Sequence, residues 1–541
     1  MEKNVTPGPG RPDFVRIFLI VLVAYLSFQL LFGKRRAAEL AAASNAPAEI
    51  TRSPVPFETA TLKGSLNAIG LRVDDVKLKK YRTGVKPDSP NISMLSPKAS
   101  GGTGPGPYVE FGFAPANPED KTELPSNATK WAAAPRADGG HTLTWKSRDG
   151  VLFTREISFD DKYMLSVRDT VSNRGKKTLS VFPYGRVTGE FDAKSPPPAA
   201  HAGFVGAVAG NLEEITYRDL AKSSVMQFSD RDGWFGFSDV YFMNVLAPPR
   251  GNSTNVRIMP LSTDAETGIA TFQADYVADR MTVAPGESKS VESRAYIGAK
   301  EPAALASYGI EKLPLAIDYG MFYLLTRPFV AMLGWLNSIA GNFGAAIILF
   351  TALVRLLLWP VAQKSFRSME KIRKIQPEMK RIQAVYSGDK ARMNMEIAAL
   401  YKSHHINPLS GCLPILFQLP VFIALYKALI ISIDMRQAPF ALWIKDLSAA
   451  DPTSIWNLFG LLPYAPWSWL PALGVLPILM GATMYAQQAM QPAAGMDQTG
   501  AKVMKFMPLV FTFIFAGLPS GLVLYWTVNN VLSILQQKMI K

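Results

Sequence analysis

Apolar residues in this chain are gathered into long blocks, and most charged residues lie between the blocks. The blocks are residues 14–33, 341–363, 411–433, 467–488 and 506–537. About 20 apolar residues form a helix long enough to cross roughly 30 Å of hydrocarbon. Pro519 and Gly521 divide the last block into two helices. The pattern therefore predicts a polytopic α-helical membrane protein with six transmembrane helices.

The first block predicts an N-terminal transmembrane anchor at residues 1–33, followed by a linker at 34–52. Residues 41–43 resemble a signal-peptidase site, but the block is longer than a usual signal core. The basic cluster at residues 34–36 directly follows it. We therefore expect the anchor to be retained in the membrane.

Residues 53–310 show a different pattern, in which apolar side chains alternate with polar ones. The clearest case is Val151, Phe153, Arg155, Ile157 and Phe159, which the turn-like pair Asp160-Asp161 separates from a second alternating run. Alternation with period two is typical of strands that have one buried face. Frequent Gly and Pro indicate many short strands joined by loops. The region is predicted to be an all-β β-sandwich, and it must rely on its own core because the chain has one cysteine, Cys412.

Residues 311–340 are apolar but interrupted by charged and polar side chains, among them Asp318 and Arg327. Tyr323 and Trp335 are residue types that favour the boundary between membrane and water. The mixture predicts an amphipathic helix lying in the interface. Residues 341–541 then form a predicted core of five membrane helices.

The charges of the loops predict the orientation. Residues 364–402 carry ten Lys or Arg against four acidic residues, whereas residues 434–466 carry two against three. Positively charged loops remain in the cytoplasm. The β-sandwich is therefore predicted to lie outside, with residues 34–340 largely exported and both termini in the cytoplasm. The net charge of +14 fits this orientation and contact with anionic lipid, and no nucleic-acid motif accompanies it.

The basic loop itself has helical periodicity on both sides of Ser387, Gly388 and Asp389, which predicts a cytoplasmic helical hairpin at residues 364–405. Two interpretations remain open for it. It is either a solvated loop that sets topology or a docking site for chains, ribosomes or anionic phospholipid.

Arg355 is the most informative single residue, because it lies inside an apolar block and the other long blocks contain no Asp or Glu. A guanidinium cannot be deprotonated, so burial in hydrocarbon is costly unless water, protein or ligand satisfies it. Arg355 lies about 12 Å from the end of its block, too deep for easy snorkelling. A water-filled groove is therefore predicted, with Thr351 one helical turn away on the same face.

Polar residues in other blocks are candidates for the same groove: Gln418, Thr483, Gln487, Gln488, Thr512, Thr527, Asn529 and Asn530. Interhelical hydrogen bonds are the commoner role for such residues. Lys427 is predicted to lie near the outer surface, where its charge snorkels, and we expect no chemistry from it.

Several motifs occur together in the last two fifths of the chain, from about Asp318. They are Asn407-Pro408-Leu409 with Gly411, Cys412 and Pro414, then Arg436 to Ile444, Phe506-Met507-Pro508, and Pro519 to Tyr525. In these motifs the chain resembles the YidC/Oxa/Alb family of membrane insertases. The exported domain is similar in position and length to that of the Gram-negative type.

The resemblance implies an insertase and chaperone in the bacterial inner membrane, which receives nascent membrane proteins alone or with the Sec translocon. It also implies a hydrophilic groove with Arg355 and Gln488, and Trp526 or its neighbour Tyr525 as the aromatic position. No nucleotide, metal or other cofactor is implied.

Three other classes of protein have a polytopic helical architecture of this kind. A secondary transporter would show repeated halves or paired intramembrane acids, which are not seen. An enzyme is disfavoured because the four histidines have no zinc spacing and no nucleophile or phosphate-binding motif occurs. A passive assembly scaffold is the strongest alternative, because helix packing explains every polar residue except Arg355.

Overall fold

The structure is a computed structural model that describes residues 52–97, 106–117, 122–192, 201–264, 267–406, 413–462, 473–490 and 498–540. The predicted anchor at residues 1–33 and all but the last residue of the linker lie outside the described residues, as do 407–412 of the sequence motifs.

The first half of the described chain is built from antiparallel strands in two sheets. The strands are β1 Pro54–Glu58, β2 Leu62–Asn67, β3 Val73–Arg82, β4 Asn91–Leu95, β5 Val109–Pro115, β6 Ala132–Pro135, β7 His141–Lys146, β8 Val151–Phe159, β9 Met164–Asn173, β10 Leu179–Asp192, β11 Gly203–Val208, β12 Asn211–Thr216, β13 Met226–Arg231, β14 Trp234–Ser238, β15 Phe242–Ala247, β16 Ser253–Thr263, β17 Ile269–Val277, β18 Met281–Val283 and β19 Ser288–Ala299. Two short helices accompany them, α1 Tyr217–Leu220 and α2 Pro302–Ser307.

One sheet has the order β1-β2-β3-β5-β10-β17-β16-β13, with β18 paired to β10 and β4 to β3. The other has the order β12-β11-β14-β15-β19-β9-β8-β7-β6. Apolar side chains from both sheets share one core. The predicted all-β domain of two sheets is therefore confirmed.

The β8–β9 hairpin follows the alternation seen in the sequence. Val151, Phe153 and Ile157 are buried, and Arg155 lies opposite Asp169 in the register. These two charges also point inward and form a bidentate ion pair, with Nε–Oδ1 at 2.6 Å and Nη2–Oδ2 at 2.9 Å. A buried charge needs such a partner, so the pair neutralises itself inside the sandwich.

The second half of the described chain is helical. The helices are α3 Tyr323–Ala340, α4 Phe343–Leu357, α5 Trp359–Val385, α6 Lys390–Ser403, α7 Leu413–Ile431, α8 Val475–Ala489, α9 Gln498–Phe515 and α10 Ser520–Ile540. Among the described residues, no single helix combines the length and apolarity needed to cross a bilayer. The pair α3 and α4 meets both criteria together but is bent by 119°. Six crossings therefore remain a prediction.

The bend between α3 and α4 has a local cause. Gly341 ends α3 with φ +66°, a conformation that favours glycine, and Asn342 caps α4 by accepting a hydrogen bond from the Ala345 amide at 3.1 Å. The predicted interfacial helix at 311–340 thus begins as a regular helix only at Tyr323.

The predicted block 341–363 is two helices, because α4 ends at Leu357 and α5 begins at Trp359 with Pro360 in its first turn. Proline is well tolerated at a helix start but not inside one. Arg355 therefore lies in the last turn of α4. Helices α5 and α6 pack around Ile372, Ile375, Met379 and Leu400.

The β-domain and the helices meet beside α7. Ile430, Ile431 and Ile433 join the apolar core of the β-domain. Lys427 forms an ion pair with Asp318, with Nζ and Oδ2 2.5 Å apart. The segment before α3 thus brings a carboxylate to Lys427, a contact that the sequence pattern did not predict.

Candidate functional site

Helix α10 carries a stripe of buried polar residues against its neighbours α4 and α8. The stripe consists of Asn529, Asn530, Ser533, Gln536 and Gln537. Positions i, i+4 and i+7 lie on one face of a helix, so Asn529, Ser533 and Gln536 point the same way. Asn529 and Asn530 were candidates from the sequence, whereas Ser533 and Gln536 were missed. Their helical spacing in an otherwise apolar segment was the available signal.

Arg355 is half-buried and binds this stripe. Its Nε donates to Oδ1 of Asn529 at 2.8 Å, and its Nη2 donates to the Asn529 carbonyl oxygen at 3.2 Å and to Oγ of Ser533. All of these acceptors are neutral. Among the described residues, no carboxylate forms an ion pair with Arg355. The guanidinium is thus oriented by hydrogen bonds, while no carboxylate in the described part of the chain compensates its charge.

Gln418 and Tyr525 form a second polar contact between helices. Gln418 on α7 donates from Nε2 to the hydroxyl oxygen of Tyr525 on α10. Tyr525 is fully buried, so this bond satisfies a hydroxyl inside the helical core. The contact joins α7 to α10 one turn from Asn529.

Trp526 is half-buried between two phenylalanines. Its ring meets Phe422 at a centroid distance of 5.0 Å and Phe515 at 5.1 Å, both close to edge-to-face. Edge-to-face pairs are a favourable packing geometry for aromatic rings. The structure thus places Trp526 in packing between α7, α9 and α10.

Thr351 does not reach an open surface. It is completely buried, and its hydroxyl donates to the Ile347 carbonyl oxygen one turn earlier at 2.6 Å. The predicted polar face that included both Thr351 and Arg355 is therefore corrected: Thr351 points into the helical core, where its hydroxyl is satisfied by its own helix.

Gln488 has a clear structural partner on the neighbouring helix α9. Its Nε2 donates to the carbonyl oxygen of Met504 on α9. Pro508 has no N–H and therefore cannot donate to the carbonyl four residues earlier, which is that of Met504. The Gln488 side chain thus supplies the missing donor and ties α8 to α9.

Close helix packing also depends on small residues. A Cβ atom added at Gly481 on α8 would lie 1.9 Å from Oγ1 of Thr512 on α9. Thr512 donates to the Pro508 carbonyl oxygen, and Asn530 donates to Oγ1 of Thr483 at 3.2 Å. These sequence candidates therefore make helix contacts. No group of three or more His, Cys, Asp or Glu among the described residues could hold a metal ion.

Comparison with known proteins identifies the family. The family model described as YidC periplasmic domain matches residues 54–332, and the one described as 60Kd inner membrane protein matches residues 335–541. A membrane protein insertase YidC from Beijerinckia indica is 41% identical over 516 residues, covering 91% of this chain and 83% of that protein. The one from Rickettsia rickettsii is 39% identical over 492 residues, covering 89% and 86%.

A solved structure described as an active YidC insertase, with its first transmembrane domain resolved, is also similar. It is 16% identical with a TM-score of 0.38, and the match covers 96% of this chain and 98% of that one. The sequence matches define an inner-membrane protein with a periplasmic all-β domain. The chain belongs to the YidC family of membrane protein insertases.

Proposed function

We propose that this protein inserts nascent membrane proteins into the inner membrane, and that Arg355 supplies the positive charge of the site that receives their polar segments. The observation that carries the proposal is the set of neutral partners around the guanidinium. Asn529 and Ser533 hold it in place without cancelling its charge. An acidic residue of a client can therefore complete the missing ion pair.

The mechanism follows from the balance of two free energies. Moving a polar segment across hydrocarbon is costly, and a hydrated pocket that begins inside the bilayer shortens the distance. The positive charge of Arg355 attracts acidic side chains in that segment. The client's apolar helix then moves into lipid, where hydrophobic burial provides the driving force.

The topology belongs to the same proposal. Six helices cross the membrane, both termini lie in the cytoplasm, and the β-domain lies in the periplasm. The basic hairpin formed by α5 and α6 carries many exposed Lys and Arg side chains, which suits contact with a ribosome or with anionic phospholipid. The same binding of client segments would also serve two further roles: cooperation with the Sec translocon and chaperone activity toward membrane proteins.

The test compares two clients that differ only in their translocated tail, one acidic and one neutral. Full-length protein is reconstituted in vesicles as wild type, Arg355→Ala and Arg355→Lys, and protease protection of the tail measures insertion. We expect Arg355→Ala to impair the acidic client more than the neutral one. Arg355→Lys should retain part of the activity, because a point charge remains without the planar fork.

A passive assembly scaffold is the second candidate, and one observation favours it. Arg355 bridges α4 and α10 through hydrogen bonds, which is also what a purely structural residue does. A scaffold requires the bridge but no free charge. Equal loss of both clients in Arg355→Ala, without partial recovery in Arg355→Lys, would favour the scaffold over the insertase site.

A further inference from the structure

A loop before α8 exposes large apolar side chains on a strained backbone. The loop comprises residues 455–462, and within it Leu461 is 83% exposed, Leu458 53% and Phe459 45%. Leu458 has φ 51° and Phe459 has φ 58°, both in the left-handed region that residues with a Cβ disfavour. A strained backbone of this kind persists only where the surrounding structure holds it in place, and such positions are common at functional sites.

Hydrogen bonds hold the loop in this conformation. The Phe459 amide donates to the Ser454 carbonyl oxygen at 2.7 Å, and the Leu462 amide donates to the Asn457 carbonyl oxygen at 3.1 Å. The exposed leucines therefore belong to a defined turn. Folding alone does not account for a defined turn that presents leucine and phenylalanine outward.

The base of the loop is fixed to the start of α8. Buried Asp451 accepts a hydrogen bond from the Leu476 amide in the first turn of α8 at 2.8 Å. The Ile455 amide donates to the Leu473 carbonyl oxygen at 2.9 Å. The loop therefore begins at the level where α8 starts.

The segment just before the loop is fixed to two other helix ends at the same level. The Ser520 amide at the start of α10 donates to the Ala449 carbonyl oxygen at 2.7 Å. Asn342, which caps α4, donates from Nδ2 to the Phe440 carbonyl oxygen at 2.9 Å. The loop thus lies at the end of the helical core where α4, α8 and α10 all begin.

The sequence from the loop to the end of α8 contains no charged residues, which would favour an aqueous environment. No Asp, Glu, Lys or Arg occurs from residue 452 to residue 496, a stretch that contains the loop and the whole of α8. Leucine, phenylalanine and tryptophan without charged neighbours suit the region between lipid headgroups and acyl chains.

We propose that the loop at residues 455–462 inserts into the outer leaflet of the membrane and holds the ends of α4, α8 and α10 at that depth. Its partner is a lipid surface. Lipid fits better than a protein partner because the exposed side chains are apolar and the sequence from the loop through α8 contains no charged residue that could select a protein. This inference rests on the membrane location of the helical core in the proposed function.

The experiment places a single cysteine at Leu461 in full-length protein that also carries Cys412→Ser. The cysteine is labelled with the environment-sensitive fluorophore NBD and the protein is reconstituted in phosphatidylethanolamine and phosphatidylglycerol vesicles. Quenching is measured with aqueous iodide and with lipids that carry a doxyl group at acyl position 5 or 12. Leu458→Cys gives a second reading should Leu461→Cys fail to fold.

Two matched positions calibrate the result. Val225, an exposed apolar residue of the β-domain, reports water, and Leu509, an exposed residue in the middle of α9, reports the bilayer interior. We expect the Leu461 label to be quenched most by the 5-doxyl lipid, with iodide quenching several-fold weaker than at Val225.

Iodide quenching at Leu461 as strong as at Val225, with Leu509 quenched by doxyl lipid, overturns the loop proposal and leaves the proposed function intact. Iodide quenching that disappears only when a client or a second copy is added also overturns it, in favour of a protein partner. Failure of doxyl lipid to quench Leu509 would overturn both proposals together.

Discussion

Arg355 in the last turn of α4 and Asn529 in the middle of α10 are joined by two hydrogen bonds, from Nε to Oδ1 at 2.8 Å and from Nη2 to the backbone oxygen at 3.2 Å. The pair fixes the direction of the guanidinium relative to both helices. Because an amide is neutral, Asn529 orients the guanidinium without cancelling its charge.

Asn529→Ala should therefore weaken insertion of acidic clients while sparing neutral ones. We expect a loss of roughly threefold to tenfold, which corresponds to the ~0.6–1.4 kcal/mol of an interhelical hydrogen bond in a membrane. Asn530→Ala is the matched control, because this adjacent residue binds Thr483 on α8 instead. Insertion kinetics are measured for both clients, and only those of the acidic client should differ between the two variants. An identical profile would argue against a positioning role for Asn529.

The hydrogen bond from Gln488 to the Met504 carbonyl oxygen predicts that a second substitution, at Pro508, restores the stability lost when Gln488 is replaced. Gln488→Leu should destabilise the helical core by about 1 kcal/mol, because a partly buried carbonyl loses its donor. Pro508→Ala restores an N–H four residues after Met504, so the double variant should regain most of the lost thermal stability. The measurement is the unfolding midpoint of all four proteins in detergent. If the losses of stability of the two single variants simply add in the double variant, Gln488 is not the hydrogen-bond donor that compensates for Pro508.

The ion pair between Lys427 and Asp318 predicts a pH dependence. Burial raises the pKa of Asp318, but the hydrogen bond and charge of Lys427 outweigh it and hold the pKa below its usual value. The pair therefore stabilises the fold above the unfolded pKa of about 3.9, and this contribution is lost as pH falls through the lowered value.

Lys427→Met should accordingly lower stability by about 1–2 kcal/mol near neutral pH, because a half-buried carboxylate loses its partner. The difference from wild type should shrink as the unfolding midpoint is followed from pH 7 towards pH 3. Lys445→Met, at an exposed lysine in the segment after α7, is the control and should change little. A difference that stays constant with pH would mean that Lys427 acts through packing alone.

The β-domain was predictable from sequence because a strand with one buried face has apolar and polar residues at alternate positions. The same alternation placed Arg155 and Asp169 inward, where they pair. It did not give the strand order of either sheet, because pairing between distant strands leaves no local signal.

In the helical half, residue type indicated which positions are polar but not what they touch. Thr351 satisfies its hydroxyl on its own helix, and Gln488 serves a carbonyl that a proline on another helix leaves free. Lys427 meets Asp318, more than 100 residues away in sequence. These contacts depend on how helices pack, which apolar periodicity alone does not determine.

We propose that Arg355 lies in a hydrated site while the adjacent Leu356 faces lipid. Single cysteines at Arg355 and at Leu356, in a Cys412→Ser background, test it by labelling with a membrane-impermeant thiol reagent from the cytoplasmic side. Leu356 is the more exposed of the two side chains, at 68%. We predict that position 355 is labelled and position 356 is not, because water reaches only the first. Labelling of neither position, or equal labelling of both, would contradict a hydrated site at Arg355.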